Sequence, residues 1–378
     1  MNCGFIMLEK KEYSQYLKDK FPPKEGFVKR MEALLGEADA KKFFEISYTK
    51  TPSSIRCNTL KISVEELKKR LEDYGWKIKQ PFVSGGKSSA SLEKFDSGNR
   101  KGSSQSDGEV HAERGGLEFP EVFIIENKLK PGELGKTKEH LLGYYYIQEI
   151  SSMLPMLALK PEAGEMILDL CASPGSKTTQ AAAMMENSGT IIANELSMGR
   201  IGILNSNLER CGVMNTIVTR KEGVALCNRF LKKSQIRFDK ILVDAPCSGE
   251  GTLRKSPKTF EMWNINMIKK IAGVQRQLAG AAMKILKVGG EMIYSTCTLA
   301  PEEDEMIVDY LVKNFDVEIE QLNLPLKFRE GVCEWEGKEL SGEVKKCLRL
   351  YPQDNDTDGF FVSKIRKLSE KVSEGVQR

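Results

Sequence analysis

The chain has 378 residues, 40% of them hydrophobic, enough to bury a sizeable core and to build two domains. Lysine and arginine number 57 against 53 acids, and the resulting net charge of +4 is compatible with a nucleic-acid partner without arguing for one. No apolar run approaches the ~18 residues of a membrane span, and the opening MNCGFIMLEKKEY becomes charged too early for a secretory signal, so no membrane and a cytoplasmic location are expected. Nine cysteines without a C-x-x-C pair, and two histidines (His111 and His140), suggest neither a zinc site nor a disulfide framework. No metal is expected, and the thiols should be free.

The first sixty residues mix basic and aromatic groups, with Met31 to Leu35 reading as part of an amphipathic helix. Ser63 and Glu66 form a capping box, Val64, Leu67, Leu71 and Tyr74 recur at helical spacing, and Gly75 follows as a C-cap, which predicts a helix over Val64 to Tyr74. SIRCNTLKI before it and WKIKQPF after it read as strands, giving a small β-α-β unit that is either an accessory RNA-binding domain or a packing module. Gly85 to Gly116, rich in Gly, Ser and charge, reads as a flexible insertion. Order resumes with a strand at FPEVFIIENKL. Of Tyr144, Tyr145 and Tyr146, at least one must pack in the core, because consecutive residues cannot all face one way.

From Met166 short apolar strands alternate with helices: Met166 to Leu170, Ile191 to Glu195, Thr216 to Thr219, Phe238 to Val243 and Glu291 to Thr296. That alternation predicts a doubly wound, mostly parallel α/β sheet. The helix before the last of these strands, Asn266 to Leu286, places Ile271, Val274, Leu278, Ala281, Ala282 and Ile285 at helical intervals and should stop before Gly289-Gly290. A helix from near Pro301 leads to the strand VEIEQL, then CLRLYP and FFVSKIRK read as strands and the charged end as a frayed tail.

Two of these strands each deliver a cysteine, Cys247 and Cys297, at the C-terminal edge where open parallel sheets bind ligands. One strand-end cysteine is more often core than catalyst. The pair, one beside Asp244-Ala245-Pro246 and the other after Ser295-Thr296, points instead to chemistry. After the first strand, the loop Cys171-Ala172-Ser173-Pro174-Gly175-Ser176-Lys177 is small enough for close approach to its backbone, and the free amides of the next helix favour a carboxylate or phosphate. It is neither G-x-x-x-x-G-K nor G-x-G-x-x-G, which disfavours nucleoside triphosphates and nicotinamides. The second strand ends in Glu195, where an acid commonly takes a ribose diol, so a nucleoside-containing cofactor is expected.

CASPGSKT, DAPCSGEGTLRK and YSTCTLAPEEDE, in that order and with YYYIQEISSMLP just upstream, resemble the NOL/NOP/Sun family of RNA 5-methylcytosine methyltransferases. The resemblance covers roughly Ser53 to the end. It implies S-adenosylmethionine as cofactor and a Rossmann-like class I methyltransferase core, at 141–370, behind a small α+β RNA-binding domain at 1–140, with a frayed tail at 371–378. It further implies Cys297 as the nucleophile, Cys247 as the cysteine that assists release, and Asp244 between cofactor and target base. Cys171 to Lys177 would hold the methionine part of the cofactor, Glu195 its ribose and Glu222 its adenine, with Arg200 as a further cofactor contact. Ser173 and Ser176 stand where Ala and Gly are usual, and Glu222 where Asp is usual.

The implied chemistry accounts for two thiols. Carbon 5 of cytosine is a poor nucleophile until a thiolate adds to carbon 6, and the carbon 5 proton must leave before that thiolate can. The target must be unstacked to reach the pocket. Arg254, Lys255 and Lys258 are candidates for flanking phosphates, and Trp263 for packing. The expected substrate is transfer RNA, with ribosomal RNA, a non-catalytic RNA-binding assembly factor and a DNA cytosine methyltransferase as alternatives. Sequence leaves the oligomeric state open, a monomer being the simplest expectation.

Overall fold

A computed structural model describes residues 10–83, 109–110 and 119–372. Most of the expected insertion at 85–116, His111 and the chain beyond 372 therefore lie outside the described residues.

Three helices come first, α1 (Lys10–Lys20), α2 (Glu25–Leu35) and α3 (Glu37–Ser47). Only the second was expected from its sequence. Their buried residues, Phe27, Met31 and Phe43 among them, pack against Leu253, Phe260, Trp263, Leu299 and Tyr351 from far along the chain. Trp263 is packing, as expected: its ring centroid lies 5.5 Å from that of Phe27.

Next in the chain come β1 (Ser53–Cys57), α4 (Val64–Asp73), β2 (Ile78–Lys79), β3 (Glu109–Val110), which joins the large sheet described below, β4 (Val122–Ile125), the one-turn helices α5 (Glu133–Lys136) and α6 (Lys138–Leu141), and β5 (Tyr145–Ile147). The capping box forms as read, with Ser63 Oγ accepting from Glu66 N at 3.1 Å, and α4 buries Leu67 and Leu71. The sheet order is β2-β4-β1-β5, antiparallel throughout, so β4 lies between the two strands that flank the helix. Tyr145 and Tyr146 are buried, which disposes of a triple stacking platform.

The remaining elements are α7 (Ile150–Leu159), β6 (Met166–Asp169), α8 (Ser176–Met184), β7 (Thr190–Asn194), α9 (Met198–Cys211), β8 (Thr216–Thr219), α10 (Gly223–Arg229), β9 (Phe238–Asp244), α11 (Thr259–Met262), α12 (Ile265–Ile285), β10 (Leu286–Thr296), α13 (Glu305–Asn314), β11 (Phe315–Glu320), β12 (Phe328–Glu330), β13 (Glu334–Trp335), β14 (Lys338–Glu339), β15 (Leu348–Leu350), α14 (Pro352–Asn355) and β16 (Phe360–Val372). Strands β10, β9, β6, β7 and β8 lie side by side in parallel, and β16 closes the β10 edge antiparallel. β11 and β15 both pair with β16, and β12 and β3 extend the sheet beyond β15. The expected doubly wound sheet is present. Its chain runs outward from β6 through β7 to β8, then crosses back to β9 and β10. The switch point therefore falls between β6 and β9, where the crevice for a ligand opens.

Three details depart from expectation. α12 buries Ile268, Ala272, Gln275, Leu278 and Ala282, while Val274 is exposed, because a glutamine occupies a core position. α12 ends at Ile285, before Gly289-Gly290 as expected, but those glycines lie inside β10, where its register against β9 shifts before Glu291. β16 continues to Val372, past the expected start of the tail at 371.

Candidate active site

Loops after β6, β9 and β10 meet at the C-terminal edge of the parallel strands, and glycine lets them meet closely. Gly251 N donates to Cys297 O at 2.9 Å and Gly359 N to Gly251 O at 2.8 Å. A Cβ on Gly251 would lie 2.2 Å from Gly359 O, so no other residue fits. The loop after β6 turns into α8 at Gly175, whose φ of +102° is costly for any residue with a side chain.

Lys177, in the first turn of α8, is buried, and its ammonium donates to Asp244 Oδ2 at 2.8 Å and to Ser152 Oγ at 3.1 Å. Ser295 Oγ donates to the other oxygen, Asp244 Oδ1, at 2.8 Å. The carboxylate is thus fixed from two neighbouring elements. The turn that carries Lys177 is itself braced by the N-terminal unit: Arg56, buried on β1, donates to Ser176 O at 3.0 Å and to Thr179 Oγ1 at 2.9 Å.

These groups line a cavity of about 240 Å³. Of the expected cofactor residues, Cys171, Ala172, Ser173, Pro174, Ser176, Lys177 and Asp244 face it, joined by Tyr146, Gln148, Glu149, Ser152, Asp169 and Lys255. Asp169 was missed. It ends β6 with Oδ2 accepting from Thr178 Oγ1 at 2.7 Å and a buried Oδ1 that has no partner, and burial pushes its carboxyl up to about 6. An unpartnered, buried acceptor on the wall of a cavity suits a cationic group, and the amino group of S-adenosylmethionine is one. The only sequence signal was an acid inside the apolar run MILDL.

The other expected positions, Gly175, Glu195, Arg200 and Glu222, do not line the cavity. Glu195, buried just past β7, accepts from Ser197 N at 2.8 Å and pairs with Arg200 at 3.2 Å. Arg200 in turn donates to Ser173 O at 2.6 Å, while Ser173 Oγ donates to Arg200 O at 3.0 Å. Those contacts tie Glu195 to the loop after β6, and the hydroxyl of Ser173 contributes one of them. Glu222 is exposed and caps α10, accepting from Val224 N at 3.0 Å and Ala225 N at 2.7 Å.

The two sequence-predicted thiols come together. Cys247 Sγ and Cys297 Sγ lie 3.0 Å apart at the ends of β9 and β10. Contact with the Cys297 thiol, then burial, pushes the Cys247 thiol upward. Ser248 Oγ and Thr298 Oγ1, one residue on in each loop, are 2.7 Å apart. Burial pushes the buried Glu149 carboxyl up, with the Asp358 charge adding to it. Of the three basic candidates, Lys258 is exposed and Lys255 pairs with Asp358 at 2.6 Å. Arg254 is a correction: its guanidinium is buried and committed to Thr357 O, Thr49 Oγ1, Lys50 O and Asp356, so it ties loops together and is not free for a phosphate. Among the described residues no cluster of His, Cys, Asp and Glu could hold a metal ion, and no helix is long and apolar enough to cross a membrane.

The family model of 16S rRNA methyltransferase RsmB/F matches residues 156–366. The chain is 39% identical to a tRNA (cytosine(49)-C(5))-methyltransferase of Pyrococcus abyssi, covering 87% of this chain and 92% of that protein. It is also 39% identical to ribosomal RNA small subunit methyltransferase F of Aliivibrio salmonicida, covering 86% of this chain and 60% of that protein. Among solved structures, a methyltransferase homolog protein from Pyrococcus horikoshii superposes with a TM-score of 0.73 at 33% identity, covering 96% of this chain and all of that one. NSun6 from Pyrococcus horikoshii superposes with a TM-score of 0.68 at 25% identity, covering 92% of this chain and 98% of that one. The chain therefore belongs to the Sun family of RsmB/F RNA methyltransferases, enzymes that use S-adenosylmethionine to methylate carbon 5 of cytosine in RNA.

Proposed function

We propose that this protein methylates carbon 5 of a cytosine in transfer RNA through a covalent bond between Cys297 and carbon 6 of the base. The observation that carries the covalent route is the 3.0 Å approach of two thiols from neighbouring strand ends, beside a carboxylate held by Lys177 and Ser295. Transfer RNA is favoured over ribosomal RNA by the identity to the Pyrococcus abyssi enzyme, which extends over 92% of that protein. The cytosine enters flipped out of its stack. Cys297, as a thiolate, adds to carbon 6 and moves the C5=C6 electron pair toward carbon 5. Asp244, sharing a proton with the base, stabilises the negative charge that develops on the ring. S-adenosylmethionine, when bound, supplies an electrophilic methyl group. Cys247 then receives the carbon 5 proton, the C5=C6 bond re-forms, and Cys297 leaves.

On the same reading the Cys171–Lys177 loop and Asp169 take the methionine part of the cofactor, Glu195 the ribose, Arg200 holds Glu195 and the loop in place, and Glu222 stands at the adenine. Residues 1–140 serve as the accessory RNA-binding part and 141–370 as the methyltransferase domain, with Lys255 and Lys258 near the flanking phosphates. On this reading the enzyme acts in the cytoplasm, as a monomer.

Transfer of labelled methyl from S-adenosylmethionine to purified transfer RNA and, separately, to ribosomal RNA tests this, with Cys297→Ala alongside. Label recovered as 5-methylcytosine in transfer RNA, and absent from the variant, is expected. Label in ribosomal RNA alone would keep the chemistry and overturn the substrate.

A further inference from the structure

The four acids that follow Pro301 are all buried, yet they are not treated alike. Glu302 pairs with Arg30 at 2.5 Å and Glu305 with Arg349 at 2.5 Å. Asp304 accepts from Thr296 Oγ1 at 2.6 Å and lies 3.6 Å from Arg349. Glu303 pairs with no cation among the described residues. Its Oε2 accepts from Ser248 N at 3.0 Å and from Gln275 Nε2 at 2.9 Å, and its buried Oε1 has no hydrogen-bond partner. Gln275 Nε2 also donates to Pro246 O at 2.9 Å. Glu303 and Gln275 therefore hold Pro246 and Ser248, the residues on either side of Cys247.

That arrangement accounts for a polar side chain in the core of α12, where Val274 would have given an apolar contact at no hydrogen-bonding cost. It also leaves a carboxyl group with one open oxygen behind the loop of the thiol that must handle a proton. Its ionisation falls near neutrality, since burial pushes it up to about 7. Its negative charge is among the influences that hold the Cys247 thiol up, after the Cys297 contact and burial. The other titratable groups whose charge bears on it are Glu250, Asp304 and Tyr294.

Resting on the two-cysteine chemistry proposed above, we infer that Glu303 is the positioning residue and proton partner of Cys247 in the release step. The ionised Glu303 accepts the Cys247 proton, leaving a thiolate. The C5–H bond of the methylated adduct then breaks, its electron pair forms the C5=C6 bond, the C6–S bond to Cys297 breaks, and Cys297 departs as a thiolate. The carbon 5 proton ends on Cys247, and the proton held by Glu303 passes to solvent. The base is restored and each thiol is ready for another cycle.

The test is Glu303→Gln, which keeps the shape and the hydrogen-bonding reach, with Glu303→Asp beside it. Methyl transfer to RNA and resolution of the covalent adduct are followed separately as a function of pH. In the native enzyme release should rise as pH rises through about 7. In Glu303→Gln methyl transfer should persist while release slows on the order of 100-fold and loses that pH dependence, with methylated adduct accumulating. Glu303→Asp should restore the pH dependence in part. If Glu303→Gln releases RNA at the native rate with the native pH profile, the inference is wrong. An equal loss of transfer and release with an unchanged profile would make Glu303 merely structural and overturn it too. A native enzyme that turned over without any adduct to Cys297 would instead remove the two-cysteine chemistry itself.

Discussion

The two sides of the crevice handle charge in different ways. On the β6–β7 side, charges are paired before any ligand arrives: Lys177 reaches across to Asp244 at the end of β9 and Arg200 pairs with Glu195, with Arg56 bracing the turn behind them. On the β9–β10 side stand two thiols facing each other and, behind the Cys247 loop, a carboxyl group with one open oxygen and no cation among the described residues. A binding surface profits from fixed charge, because it is organised before the ligand comes and loses little on binding. A reacting surface needs groups that change protonation near neutral pH. Asp169 shows the boundary between the two. It too is buried with an open oxygen, but it lines the cavity, where a cationic group of a ligand can answer it.

Removing the nucleophile should break the reacting side outright: Cys297→Ala is expected to lower methyl transfer by more than roughly 10³-fold in a labelled-methyl assay while cofactor binding by calorimetry is kept. Next in size is Lys177→Met, which leaves Asp244 without its cation and strips the loop of its anchor. A fall in kcat/KM on the order of 100-fold is expected, and a fall under about threefold would show that the ion pair is incidental.

Asp169 sharpens the binding side through pH. Its carboxyl, raised to about 6, is ionised above that value and protonated below it, so attraction for a cationic amino group is present above about pH 6 and fades as pH falls through it. Calorimetric affinity for S-adenosylmethionine should weaken on acidification in the native protein. Asp169→Asn should bind about tenfold more weakly and without that pH dependence. Smallest of all should be Glu222→Asp, which keeps a capping carboxylate on α10. A change in cofactor affinity under about threefold is expected, and a larger one would mean that the extra methylene of Glu222 touches the ligand.

The sheet was legible because its strands are short, apolar and regularly spaced, and the two cysteines because each ends such a strand beside Pro or Ser-Thr. Local patterns also gave α4, whose cap, stripe and stop all lie within a dozen residues. What escaped depends on distant partners. α1 and α3 are largely exposed, and the few side chains they bury, Leu17 and Phe43 among them, are recognisable as core only once Phe260, Trp263 and Tyr351 are seen to share their cluster. Arg254 looked like a surface cation because no local signal shows that Thr49, Lys50 and Thr357 close around it. Gln275 broke an apolar stripe, and the reason for it, Glu303 and Pro246 O, lies in two other loops. Glu303 itself stood among four acids in a row, a pattern that reads as a solvated run until each is seen with or without its cation.

The most direct measurement is made on Cys247→Ala. Incubated with substrate RNA and S-adenosylmethionine and then run under denaturing conditions, it should give a protein–RNA species that survives denaturation and contains the transferred methyl group. Adding Cys297→Ala to the same chain should abolish that species. Multiple turnover by Cys247→Ala at the native rate with no such species, or a species that persists in the double variant, would contradict the division of labour between the two thiols.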